Sequence, residues 1–149
     1  MVGPVFGTPR MGQSYVVQDC SYAVIRNGEG KVAVARTPKG IVLLGGGVEP
    51  GESEQDALYR EAYEESGYRI RIISRLGFAS QYVNNFAKGR YRLKRGTFFE
   101  CELTEKLGPP LEDDHELVWM PYQEAHDSLI RPFHRWALEF VSSASRSTS

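Results

Sequence analysis

The sequence predicts a single domain of the mixed α/β (α+β) class, with a mixed β-sheet packed between helices. Three observations lead there. Short apolar, partly β-branched runs recur through the middle of the chain, as half-buried strands do. Helix signals bracket residues 53–67, and Phe133, Trp136, Ala137 and Phe140 recur at helical spacing. Strands and helices alternate without a strict βα rhythm.

Residues 1–13 carry Gly3, Pro4, Gly7, Pro9 and Gly12 and read as an irregular segment. The domain is expected over 14–141. The Ser/Thr-rich stretch 142–149 reads as a disordered tail. Residues 21–26 and 31–36 flank Asn27-Gly28-Glu29-Gly30 and predict a β-hairpin. Residues 41–44 predict a short buried strand that ends in a glycine loop, Gly45-Gly46-Gly47. Ser53 is a candidate N-cap, with Asp56 three residues on, and Gly67 suits the C′ position of the helix that follows. Further strands are expected over 69–76, 79–86, 91–103 and 116–120. A short helix over 122–129 and a last helix after Pro132 complete the chain.

Composition narrows the function. The 149 residues suit one domain with one sizeable core. A net charge of −1 lacks the basic excess of a protein that grips a nucleic-acid backbone, so nucleic acid is disfavoured as a partner. Cys20 and Cys101 sit in apolar contexts and read as buried free thiols, which fits a reducing, cytoplasmic location. No apolar run approaches the ~20 residues that span a bilayer, and neither a secretory signal nor a myristoylation pattern is expected. A homodimer is compatible with the sequence, but no self-complementary patch is legible.

The chemistry concentrates after the glycines. Glu61, Glu64 and Glu65 stand at i, i+3 and i+4 and share one helix arc about 100° wide. Like charges so placed cost a few tenths of a kcal/mol per pair, and a hard divalent cation would relieve them. Ala57 lies on the same arc, where a small side chain would leave room for an ion or a phosphate. The glycines allow close approach of backbone to ligand, and a bare carbonyl there would serve as a further oxygen donor.

This segment resembles the Nudix box, G-x5-E-x7-R-E-U-x-E-E-x-G-U, where U is bulky and aliphatic. Gly46, Glu52, Arg60, Glu61, Glu64, Glu65 and Gly67 occupy all the fixed positions. With residue frequencies of roughly 7%, a window matches by chance about once in 10⁸. Ala62 and Tyr68 depart from the bulky aliphatic places, and Leu44 stands where a proline often precedes the glycines. The resemblance implies a Nudix-type α/β/α sandwich and a MutT-like, metal-dependent hydrolase using Mg²⁺, with Mn²⁺ as a substitute. The implied substrate is a small nucleoside diphosphate derivative cleaved at its pyrophosphate bond: a nucleoside triphosphate, an oxidised nucleotide, a dinucleoside polyphosphate or a nucleotide sugar. It also leaves open an RNA 5′-end pyrophosphohydrolase or a nucleotide-sensing module without turnover. By the same resemblance Gly45 or Gly46 offers a carbonyl to the metal, and Glu61, Glu64 and Glu65 bind it. Arg60 orients the glutamates, and Glu52 supports the loop or a second metal. Glu61 or an acid outside the box serves as base.

Outside the box, Asp114, His115 and Glu116 are candidate acids or ligands. Arg90, Arg92 and Lys94 fall on one face of a predicted strand, beside Lys88 and Arg95, and form a candidate lip for a polyphosphate. Among Tyr22, Phe78, Tyr82, Phe86, Tyr91 and Phe99, one or two are candidates to stack a base.

Overall fold

The computed structural model describes residues 3–85 and 87–147. In chain order the elements are β1 (Val5–Phe6), β2 (Val16–Ile25), β3 (Lys31–Thr37), β4 (Gly40–Val42), β5 (Leu44–Gly47), α1 (Glu54–Ser66), β6 (Tyr68–Asn85), β7 (Arg90–Lys106), β8 (Glu116–Pro121), α2 (Tyr122–Ser128) and α3 (Pro132–Ser147). A five-stranded mixed sheet has the order β1-β6-β7-β2-β5, and a three-stranded antiparallel sheet has the order β4-β3-β8. The mixed α+β class expected from the sequence is the observed one.

The expected hairpin of β2 and β3 does not form. A single bridge, Arg26 to Val32, joins them before they part into different sheets. Both edges of β2 are taken, by β7 in parallel and β5 in antiparallel register, so its backbone groups are satisfied without β3. The strand expected over 41–44 also divides. At the buried Leu43 the chain passes from β4 in one sheet to β5 in the other. Gly45, Gly46 and Gly47 are therefore strand residues paired with Tyr22, Ser21 and Cys20, not a loop.

The two strands expected over 69–86 are one, β6, bent by register shifts near Arg69, Ile72 and Arg75. Phe86 lies outside the described residues. Within the segment expected to be irregular, Val5 and Phe6 pair in parallel with Ser80 and Gln81, a contact set by distant backbone rather than local composition. The stretch expected to be a disordered tail continues α3 to Ser147, since no Gly or Pro interrupts it and each added residue gains a backbone bond. Residues 148 and 149 lie outside the described residues.

Alternation along β2 builds two cores. Cys20, Tyr22 and Val24 point to one side, and Ala23 and Ile25 to the other. The first side is covered by Phe133, Ala137, Leu138 and Val141 of α3, the second by Leu58 and Ala62 of α1. The sheet thus lies between helices. Phe140, expected in the buried stripe of α3, is 42% exposed, because His134, Leu138 and Val141 occupy that face instead. Phe133 is fully buried and abuts Phe98 and Tyr22 at ring distances of 5.5 and 5.3 Å; truncating such a side chain costs about 3–5 kcal/mol. Cys20 and Cys101 are buried free thiols, and burial pushes Cys101 up to about 12, which leaves it unreactive. Among the described residues no helix is long and apolar enough to cross a membrane.

Candidate active site

Helix α1 carries the chemistry, and its ends are defined locally. The Ser53 side chain accepts from the Asp56 N–H at 3.0 Å, and Gly67 closes the helix at φ +77° by donating to Tyr63 O at 2.8 Å. Leu58 and Ala62 anchor one face in the core, which turns Glu61, Glu64 and Glu65 toward the free edge of β5. Ala57 is fully buried, so it leaves no open space beside Glu61 as expected from its size.

Glu65 is 5% exposed, and its Oε1 accepts from the Gly45 N–H at 2.8 Å. Burial raises its pKa well above the carboxylate range; the Gly45 bond opposes this, and Glu61, Glu112 and Glu64 add to the rise. Glu61 is also raised, first by burial, with Arg60 opposing and Glu64 and Glu112 reinforcing. Its carboxylate lies directly over Gly46, where a Cβ would stand 2.8 Å from its Cδ.

One guanidinium ties this set together. Arg60 Nε and Nη2 donate to the two oxygens of Glu52 at 2.7 and 2.9 Å. Its Nη1 donates to Glu61 at 3.1 Å and Glu64 at 3.3 Å, and Nη2 also reaches the Gly47 carbonyl at 3.1 Å. Glu52 further accepts from the Glu49 N–H at 2.9 Å, so it fastens the loop to the helix. The Arg60 bond, then the Glu49 N–H, lower its pKa to about 2.

In β5 the outward row is Gly45 and Gly47, whose N–H and carbonyl respectively meet Glu65 and Arg60. Gly46 is paired inward with Ser21. The Gly45 N–H bond to Glu65 places this stretch of backbone beside the glutamates.

A distant loop completes the surround. The N–H groups of Leu111 and Glu112 donate to Glu64 O, and Leu107 N–H donates to Gly67 O, satisfying carbonyls at the end of α1. His115 thereby comes within 4.0 Å of Glu65, and Glu112, Asp114 and His115 bring ligand atoms within 4.8 Å of one another. Glu112 was not among the candidates; its only sequence signal is the need of a helix end for donors. Glu116 pairs with Arg36 at 3.2 Å and shares a cleft with Glu112 and His115. Beside the loop runs a cleft of about 640 Å³, bordered by Ser66, Tyr68, Glu112, His115 and the half-exposed Trp119. Arg90 and Arg92 line a separate cleft of about 260 Å³ with Gln13 and Val16. Of the candidate aromatics, Tyr22 and Phe99 are core residues, while Tyr82 and Tyr91 pack edge-on around Tyr15.

The model of the NUDIX domain family matches residues 18–142. The chain belongs to the Nudix family. A Nudix hydrolase from Nitrosomonas europaea superimposes with a TM-score of 0.69 at 20% identity, covering 85% of this chain and 89% of that one. The Escherichia coli ORF135 protein superimposes with a TM-score of 0.66 at 25% identity, covering 89% and 94%. An RNA pyrophosphohydrolase from Mesorhizobium japonicum is 30% identical over 154 positions, covering 84% of this chain and 87% of that protein. The expected enzyme class, a Nudix pyrophosphohydrolase, is thus the class of this chain.

Does the donor set of this Nudix chain suit a hard divalent cation? Glu61 and Glu64 share the Arg60 Nη1, Glu65 lies against the Gly45 backbone, every one of these donors is oxygen, and one arginine faces more acids than it neutralises. That is the chemistry such a cation takes.

Proposed function

We propose that this chain hydrolyses the pyrophosphate bond of a nucleoside diphosphate derivative with the help of a divalent cation, Mg²⁺ or Mn²⁺ as its substitute. Glu61, Glu64, Glu65 and the Gly45 carbonyl would hold the ion. One observation carries this reading: Glu61 and Glu65 are desolvated beside each other and crowded by like charge, with only Arg60 opposing at Glu61 and only the Gly45 N–H at Glu65. When bound, the cation supplies charge neutralisation for the phosphates and acidifies water. The protein's own part is positional. Arg60 fixes Glu61 and Glu64 relative to each other, Glu52 fixes Arg60, and Glu61 receives the proton of the attacking water.

The test is turnover of a nucleotide panel, analysed by mass, with Glu64→Gln and Glu65→Gln. Each variant should lose at least two orders of magnitude in kcat. Glu65→Gln should keep its thermal stability without cation, because burial already favours an uncharged group at that position. Turnover near wild type in both variants rejects the assignment.

A second reading is hydrolysis at the 5′-triphosphate of RNA; the Mesorhizobium relative is named an RNA pyrophosphohydrolase. The cationic strand face of Arg90, Arg92 and Lys94 supports it. Release of pyrophosphate from 5′-triphosphorylated RNA, compared with free nucleotides, separates the two readings.

A further inference from the structure

Most arginines on this protein are spoken for. Arg26, Arg36, Arg69, Arg71, Arg75 and Arg95 each hold a carboxylate within 3.2 Å. Lys39, Arg92, Lys94 and Arg131 differ: among the described residues none of the four forms an ion pair, yet the fold gathers them.

Two independent contacts do the gathering. Parallel pairing sets Lys94 beside Gln18 and Arg92 beside Val16, so both cations share the face of β2 that carries Cys20 and Tyr22. On that face Gln18 Nε2 lies 2.7 Å from where a Gly47 Cβ would stand, and the Gly47 carbonyl binds Arg60. The cations therefore adjoin the glutamate site along the sheet. From the opposite side, the Thr37–Gly40 turn packs on Ile130: a Gly40 Cβ would stand 2.7 Å from Ile130 Cγ2, and Ile130 N–H donates to Ile41 O at 3.0 Å. This brings the turn that carries Lys39 against the residue before Arg131, and α3 then returns to the Lys94 face, where a Gly96 Cβ would stand 3.1 Å from Phe133 Cε2. Burial lowers the Lys94 pKa, with Cys20 opposing, and Arg131, Arg92 and Lys39 deepen the shift.

A buried donor stands against the same cluster. His134 is 2% exposed, and its Nδ1 accepts from the Leu43 N–H at 3.3 Å. The ring must then be neutral with its proton on Nε2, and Nε2 has no partner. Lys94 and Arg131 are among the charges nearest to it. Unpaired cations and an unanswered donor in one place are costly unless an anion answers them.

We propose that Lys39, Arg92, Lys94 and Arg131 form one anion site that positions the phosphate chain of a nucleotide carrying three or more phosphates. The proposal rests on the glutamates being where the scissile bond lies. Strand β7 is two strand spacings from β5, roughly 10 Å, so phosphates beyond the cleaved pair are the ones the cluster would meet.

The probe is inorganic tripolyphosphate, titrated calorimetrically into the full chain without divalent cation. Wild type should bind it more tightly than pyrophosphate. Lys94→Gln and Arg131→Gln should each weaken tripolyphosphate roughly tenfold, the loss expected for one charge-assisted contact. Arg71→Gln, which removes a remote cation, should change nothing. Lys39→Gln alters an exposed residue and serves as the variant that leaves folding intact. Glu65→Gln should keep tripolyphosphate binding, so a failure of the glutamate assignment and a failure of this site read differently. With cation present, a higher KM in the cluster variants for ATP marks a free nucleotide as the source of the chain. The same rise confined to 5′-triphosphorylated RNA marks an RNA end. Wild-type tripolyphosphate affinity in Lys94→Gln, Arg131→Gln and Lys39→Gln together overturns the proposal.

Discussion

Replacing Gly46 with alanine tests the site with a single methyl group. Gly46 has no positive φ, so the backbone accepts alanine. The new Cβ would lie 2.8 Å from Glu61 Cδ and 3.0 Å from both carboxylate oxygens, whereas ordinary contact starts at 3.4 Å. The carboxylate must retreat by about 0.6 Å, and its 3.1 Å bond to Arg60 is lost or remade. Because the clash is with the far end of a side chain, the fold should lose only about 1 kcal/mol, the low end of overpacking. Catalysis is less tolerant: a misplacement approaching 1 Å costs up to about 10²-fold. The assay is kcat/KM on the best substrate of the panel together with urea unfolding, and Gly28→Ala is the control, since nothing lies within 4 Å of its Cβ position. A Gly46→Ala enzyme within threefold of wild type would refute the claim that Glu61 works from its place over Gly46.

Burial, then the charges of Lys94, Arg131 and Arg135, hold His134 well below its ordinary value of 6.5. The native ring stays neutral while the unfolded chain takes a proton below pH 6.5, so stability is full above that pH and falls beneath it, by about 1.4 kcal/mol at pH 5.5. Urea unfolding of wild type and His134→Asn at pH 7.5 and 5.5 checks this, and equal losses in both would contradict it. Gly67→Ala should cost about 2–4 kcal/mol, because φ is +77° and the added Cβ would strike Gly108 O at 2.0 Å; a loss below 1 kcal/mol in urea unfolding would show the loop free to move away.

Features encoded in one contiguous stretch were legible from the sequence. Ser53, Gly67 and the spacing of Glu61, Glu64 and Glu65 are local, and a helix turns local spacing directly into a shared face. Strand partnership is different, because it depends on which distant backbone is free. Nothing between Ser21 and Arg36 says that β2 will be occupied on both edges, so the hairpin expected from Asn27-Gly28 reduces to one bridge. For the same reason β1 was hidden in a Gly/Pro-rich segment. Glu112 was hidden because its role comes from a helix end 48 residues earlier in the chain, at Glu64. Arg92 and Lys94 were visible as a strand face, but Lys39 and Arg131 come toward them through the packing of Gly40 on Ile130 and of Phe133 on Gly96.

The three consecutive glycines show how a correct reading can rest on an incomplete cause. As a loop they would need freedom of φ, yet of the three only Gly45 has a positive φ, at +137°. What they share is a missing Cβ, and each omission serves a different distant neighbour: the Ser21 carbonyl at Gly45, the Glu61 carboxylate at Gly46 and the Gln18 amide at Gly47. Because a strand alternates its faces, the middle glycine opens toward α1 while Gly47 opens toward the cation-bearing face. The same short edge strand thus borders the glutamates on one side and the Gln18–Lys94 surface on the other. A substrate whose phosphates lay along that edge would meet carboxylates first and cations beyond them, which is why substitutions at Gly46 and at Lys94 should affect different steps: turnover in one case, affinity for the extended phosphate chain in the other.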